Sequence, residues 1–337
     1  MSNYAKLLKN YAVLLLILPL LVFTQACSDD DDDPITPAPV ESELLVAELE
    51  GPNGNYMNTD CPSIVTAQAV YENVSGANTW YIMDIRSAAD YAKGHIPGAV
   101  NVTRADLLTH AAANNFASKE RVVIICYSGQ SAAWSTAILR MSGYNNVSSM
   151  KYGMSSWHPD FDSISSKTGS DYQTQFVKDA APAKPAAGDL PAINTGKTTG
   201  AEILAARVAA VHAEDYGAAA TSAAAVFAAP DQFFILNYWI MGDYTGIGHI
   251  PGAYQYTPKA DLASDAFLKT LPTDKTIAVY CYTGQTSANV AAILRVLGYD
   301  AKSLSFGTQG MIWQDMVAAG KTAFDASKDC MGFAYEK

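Results

Sequence analysis

Arg121-Val-Val-Ile-Ile-Cys126-Tyr-Ser-Gly-Gln-Ser131 returns later in the chain as Lys275-Thr-Ile-Ala-Val-Tyr-Cys281-Tyr-Thr-Gly-Gln-Thr286. In both copies a short apolar, β-rich run meets a cysteine, and a glycine three residues on opens a segment with helix-spaced apolar residues. The run reads as a buried strand. The segments Ser131–Ser142 and Thr286–Leu297 read as helices that end at Gly143 and Gly298, residues suited to a helix C-terminus.

The repeat extends outward from these loops. Gly94-His-Ile-Pro-Gly-Ala99 recurs as Gly248-His-Ile-Pro-Gly-Ala253, Ala137-Ile-Leu-Arg140 as Ala292-Ile-Leu-Arg295, and Gly143-Tyr144 as Gly298-Tyr299. His95 precedes Cys126 by 31 positions and His249 precedes Cys281 by 32; Trp157 and Trp313 follow by 31 and 32. Register held over that length marks two copies of one domain. Strands such as Trp80–Ile85 alternate with helices, so the expected class is α/β: two domains, each a mainly parallel sheet flanked by helices on both faces. The expected layout is a leader over 1–26, an acidic and Pro-containing tether over 27–55, domain 1 over 56–165, a linker over 166–197, domain 2 over 198–325 and a tail over 326–337. The linker centres on Ala181-Pro-Ala-Lys-Pro-Ala-Ala-Gly188 and lacks amphipathic periodicity.

Each cysteine falls at the carboxyl end of a strand, the edge where open α/β sheets bind ligands. Backbone N–H groups of the loop and the helix N-terminus converge on the sulfur and favour negative charge there. That keeps a thiolate available and would hold the terminal sulfur of a persulfide anion. The candidate loops are Tyr127, Ser128, Gly129, Gln130 and Ser131 after Cys126, and Tyr282, Thr283, Gly284, Gln285 and Thr286 after Cys281. Ser131 and Thr286 offer hydroxyl donors, and Tyr127 and Tyr282 are expected to line pocket walls.

At these residues the chain resembles the rhodanese superfamily of sulfurtransferases. Asp84-Ile-Arg86, Tyr91, Gly94–Ala99, the Cys126 loop, Gly143-Tyr144 and Gly153-Met154…Trp157 match in order in the first copy, and Gly248 to Trp313 in the second. The resemblance implies ping-pong transfer of sulfane sulfur through a cysteine persulfide at Cys126 and Cys281. The donor would be thiosulfate, a persulfide or a polysulfide, and the acceptor a thiol or cyanide, with no cofactor. It also implies that Asp84 and Arg86 brace the fold near the site and that His95 and His249 are structural. Two departures stand out. Neither loop carries Lys or Arg to pair with a donor anion, and alignment on Tyr91 and Tyr244 puts Asn237 and Trp239 where the first copy has Asp84 and Arg86. The family also has inactive members, so a non-catalytic or redox-sensing interaction scaffold is the alternative. A phosphatase loop would need an arginine where Ala132 and Ser287 stand.

Lys6 and Lys9 precede the apolar run Ala12–Phe23, about 12 residues against the ~20 that span a bilayer. Thr24-Gln-Ala-Cys27 resembles the lipobox of bacterial lipoproteins, which implies lipidation at Cys27. The acidic run Ser28–Asp33 then suits either the periplasmic face of the outer membrane or the cell surface. Membrane attachment would be through that lipid only. Removing the leader takes two lysines and no acids, moving the formal charge from −11 to −13, which argues against nucleic acid. Hydrophobic content of 49% with 16% charged residues describes globular domains with ample core. Cys61 and Cys330 flank the domain pair and are candidates for an oxidised bridge that clamps the tail onto domain 1; four cysteines allow three pairings. Trp157 and Trp313 are expected as core anchors, and Arg140 and Arg295 as surface residues. No His/Cys cluster has metal spacing.

Overall fold

Four consecutive β-branched residues, Val122 to Ile125, are wholly buried and form the middle strand of a parallel sheet. Burial on both faces explains the unbroken apolar run. The computed structural model describes residues 40–337 except 52, 53 and 60; the expected leader, Cys27 and the acidic run lie outside the described residues.

The first repeat runs α1 (Glu41–Leu49), β1 (Ile64–Val65), α2 (Ala67–Ser75), β2 (Tyr81–Asp84), α3 (Ala88–Lys93), β3 (Val100–Asn101), α4 (Leu107–Ala113), β4 (Val122–Ile125), α5 (Gln130–Met141) and β5 (Val147–Met150). The second runs α6 (Gly200–Ala218), β6 (Ala220–Thr221), α7 (Ala223–Ala228), β7 (Phe233–Asn237), α8 (Met241–Gly246), β8 (Tyr254–Gln255), β9 (Thr276–Tyr280), α9 (Gln285–Val296), β10 (Ala301–Leu304), α10 (Trp313–Ala318) and α11 (Ala326–Asp329). The strand orders are β1-β5-β4-β2-β3 and β6-β10-β9-β7-β8, the same path twice, and every pairing is parallel. Helices α2, α3 and α7 start on hydroxyl caps: Thr66, Ser87 and Ser222 accept the N–H groups of Ala69, Asp90 and Ala225.

Alternation along the central strands sorts the cores. Val122 and Ile124 face inward with Ile277 and Val279 of the second repeat, in one apolar core that joins both sheets through α5 and α9. Val123 and Ile125 face outward with α2, and Ala278 and Tyr280 outward with α7. Small residues on the facing helices, including Ala132, Ala133, Ala137, Ala288, Ala291 and Ala292, are all buried and let the two backbones approach closely.

The extensions are exchanged. The linker leaves repeat 1 and docks on the outer face of repeat 2: Tyr172 donates its N–H to Met311 O, its ring stacks on Phe227, and Val177 bridges His249 in both directions. The C-terminal tail returns to repeat 1 in the same way. Phe333 donates to Trp157 O and stacks on Tyr71 at 4.0 Å, and Glu336 bridges His95. The indole of Trp157 also donates to Ala334 O at 3.0 Å.

Several expectations change. Residues 41–49, expected within a tether, form α1 because Leu45, Val46 and Leu49 find burial against α6. Trp157 is a core anchor, but its structural counterpart is Met311, since Met154 and Thr308 occupy matching positions by donating to Cys126 O and Cys281 O. Trp313 instead opens α10 and bonds Phe324 O. Arg140 is buried, its guanidinium satisfying the carbonyls of Asn145 and Val147, whereas Arg295 pairs with Glu214 and Asp300. No disulfide joins Cys61 to Cys330. Cys61 belongs to the inner core, and Cys330 lies in the tail that docks on the opposite, outer face of the first sheet. The tail is held there without a covalent clamp.

Phe333→Ala removes the ring that stacks on Tyr71 and meets Trp157 edge-on. The expected loss of stability in urea unfolding is about 1–3 kcal/mol, below a full core deletion because the ring is only partly buried. Tyr172→Ala should cost a comparable amount in the second repeat.

Candidate active site

Cys126 and Cys281 follow the central strands directly, and both are buried. Cys126 Sγ accepts the N–H groups of Gly129 at 3.1 Å and Ala132 at 3.4 Å. Cys281 Sγ accepts those of Gly284 and Ser287, both at 3.3 Å, and sits 3.6 Å from Ser287 Oγ. Two donors from a loop and the first turn of a twelve-residue helix form an anion cradle around each sulfur. Gly129 and Gly284 permit it with φ of +85° and +86°.

A second glycine braces each loop from behind. A Cβ on Gly153 would lie 2.3 Å from Cys126 O and 2.8 Å from Gly129 N, and one on Gly307 would lie 2.4 Å from Cys281 O. Backbone packs on backbone there, so the sulfur's position depends on the turn after the next strand.

The remaining loop residues divide. Tyr127 is exposed and donates to Asp90 Oδ2 at 2.5 Å. Lys93, then Tyr127 and Ser87, hold the Asp90 carboxyl well below the usual carboxylate range. Tyr282 makes the matching bond to Asp243, which Lys321 pairs at 2.6 Å; burial and then the Asp243 contact push the Tyr282 phenol up. Ser131 and Thr286 are half-buried, as is Ser128, which takes a bond from Gln130 Nε2. Gln130 and Gln285, expected beside the sulfur, instead cross to the other repeat. Gln285 Oε1 accepts Tyr152 N at 2.9 Å, and Gln130 Oε1 accepts Phe306 N at 2.8 Å.

Asp84 and Arg86 form a buried fork at 2.7–3.1 Å, with a further bond from Arg86 to Gly94 O. In the second repeat Asn237 and Trp239 take these positions, fixed by matching backbone bonds to Ile125 and Tyr280. Trp239 is fully buried and stacks on Tyr282 at 4.8 Å. His95 and His249 stack on Tyr91 and Tyr244; burial lowers the His249 imidazole.

A cavity of about 640 Å³ opens beside the Cys126 loop, lined by Arg86, Tyr127, Asn101, Arg104, His212 and Asp215 among others. Arg104 and Asp215 form a bidentate pair at 2.7 and 2.6 Å across the two repeats. Arg104 holds the Asp215 carboxyl down. Asp215 interrupts α6 with φ 60° and ψ 161°, a region suited to glycine that costs other residues about 1–3 kcal/mol. The sequence reading missed Arg104, His212 and Asp215, because their convergence on the cavity beside Tyr127 is tertiary; an aspartate breaking an otherwise helical run carries no distinctive pattern. Among the described residues no His/Cys/Asp/Glu group has the arrangement of a metal site.

The rhodanese-like domain model matches residues 66–160 and 240–311. The candidate sulfur carrier protein YrkF of Bacillus subtilis (strain 168) is 26% identical over 125 residues, which are 34% of this chain and 66% of that protein, just under two thirds of its length. A rhodanese-related protein from Thermoplasma volcanium is 22% identical, covering 28% of this chain and 90% of its own, with a TM-score of 0.25. A rhodanese-like domain protein from Staphylococcus aureus is 20% identical, covering 28% and 88%, also with a TM-score of 0.25. The two separate matches fall one in each repeat, the first spanning β2 to β5 and the second β8 to β10, and the chain is thus a tandem of rhodanese-like domains, a sulfurtransferase-type family.

Proposed function

We propose that the protein is a sulfurtransferase that carries sulfane sulfur on Cys126 and Cys281. The observation that carries this reading is the cradle of two N–H donors around each sulfur. An anion formed there, thiolate or persulfide, is stabilised by dipoles already in place and needs no reorganisation. With thiosulfate, the Cys126 thiolate attacks the sulfane sulfur, the S–S bond to the sulfonate breaks, and sulfite leaves with the electron pair. The enzyme then holds Cys–S–S⁻. A thiolate or cyanide acceptor attacks the terminal sulfur and releases the cysteine thiolate, closing a ping-pong cycle.

The reaction is proposed to run outside the cytoplasm, at the outer membrane's periplasmic face or at the cell surface. This rests on the sequence of residues 1–33, whose Cys27 would carry the lipid. No helix among the described residues is long and apolar enough to cross a membrane.

Peptide mass spectrometry after exposure to thiosulfate and to polysulfide should show one added sulfur atom on Cys126 and on Cys281. Cys126→Ala with Cys281→Ala should abolish turnover. Two reduced, alkylatable thiols that take up no sulfur from either donor would sink the proposal in favour of a scaffold. Gly153→Ala should push the Cys126 loop out of place and slow sulfur uptake at Cys126 at least about tenfold, a barrier change of ~1.4 kcal/mol. Gly246→Ala, at an exposed position of α8 in the second repeat, has an ordinary backbone conformation and an added Cβ that meets nothing within 4 Å, and should leave that uptake rate near wild type.

A further inference from the structure

Of the cations that line the cavity beside the Cys126 loop, Arg86 is committed: Asp84 takes its fork and Gly94 O takes another donor. Arg104 differs. It reaches the cavity from the turn after β3, half-exposed, and among the described residues its ion-pair partner is Asp215 from the opposite repeat. Asp215 holds its place from a backbone conformation that disfavours aspartate, with its carboxylate also accepting the N–H of Tyr216 at 2.7 Å. A planar guanidinium facing a bidentate carboxylate has the geometry that a planar or tetrahedral oxyanion would use in its place. The second repeat lacks the arrangement. Val102 and Tyr256 donate to Asp84 O and Asn237 O, so the register puts Pro258 where Arg104 stands.

We propose that Arg104 is the specificity residue of the Cys126 site, anchoring sulfur compounds with an anionic sulfonate or carboxylate head, while Asp215 is a resident carboxylate that competes for the same guanidinium. The two repeats then differ in donor class: Cys126 selects anionic donors, and Cys281 has no such preference. The inference deepens the sulfurtransferase reading and assigns to another element the cation that neither cysteine loop supplies. Asp215 tempers the preference, since a donor must displace it to reach Arg104.

The test does not depend on sulfur transfer. Iodoacetate and iodoacetamide are close in shape and differ in charge, and peptide mass spectrometry reads their alkylation rates at Cys126 and Cys281 separately. Arg104→Gln should lower the iodoacetate-to-iodoacetamide rate ratio at Cys126 by about fivefold, the upper range for a partly exposed charge pair. Asp215→Gly, which also suits the local backbone and guards against misfolding, should raise that ratio by a similar factor. The ratio at Cys281 should not move in either variant, and added salt should shrink the effect at Cys126. A Cys126 ratio indifferent to both substitutions overturns the proposal, as does an equal change at Cys281. A Cys126 that neither reagent reaches overturns it too, while failed sulfur uptake with the expected ratios would remove only the sulfurtransferase reading.

Discussion

Gln130 and Gln285 tie the two sulfur loops into one device. Each begins the helix behind its own cysteine, yet each side chain crosses to the other repeat. Gln285 accepts the N–H of Tyr152, the residue before Gly153, and Gly153 presses on the carbonyl of Cys126. Gln130 accepts the N–H of Phe306, the residue before Gly307, and Gly307 presses on the carbonyl of Cys281. Both amides are almost fully buried, so losing either partner leaves an unsatisfied polar group, at a cost of about 1–3 kcal/mol. The crossing is possible because α5 and α9 approach closely, which the small residues between them permit.

On that symmetric frame the repeats diverge in what surrounds the sulfur. The first keeps a buried Asp84–Arg86 pair, whose charges must be satisfied together because removing one strands the other. The second replaces it with Asn237 and Trp239, and the indole stacks on Tyr282. An aromatic wall gives the Cys281 side an apolar boundary where the Cys126 side has a guanidinium. The hydroxyl of Ser287 near Cys281 has no counterpart at Ala132. Identical backbone cradles thus sit in different electrostatic surroundings.

The sheets, the placement of both cysteines at strand ends and the equivalence of Asp84 with Asn237 were legible in the sequence, since they depend on local periodicity and on register between copies. The contacts between repeats were not. Gln130 and Gln285 look like ordinary loop residues until the partner helix is in place. Arg140 looks like a surface arginine because its acceptors, the carbonyls of Asn145 and Val147, belong to the turn beyond the helix and the start of β5. The tryptophan spacing misled: Trp313 falls near the right distance, but the position of Trp157 is held by Met311.

The exchange of extensions explains why this pair is better regarded as one folding unit than as two beads. A rhodanese-like repeat here leaves its outer face open at α2 or α7, and the segment that covers it is donated by the other repeat's C-terminal side. Tyr71 and Trp157 wait for Phe333, which follows both repeats in the chain, whereas Tyr172 is already made when its partner Phe227 arrives. Closing repeat 1 therefore requires the segment beyond repeat 2, with the loop entropy that long-range contacts carry. A consequence follows for the sites. Trp157 belongs to the turn that contains Gly153, so the returning tail steadies the same turn that backs Cys126 from one side while Gln285 steadies it from the other. The sulfur loop of each repeat is held by residues the other repeat supplies.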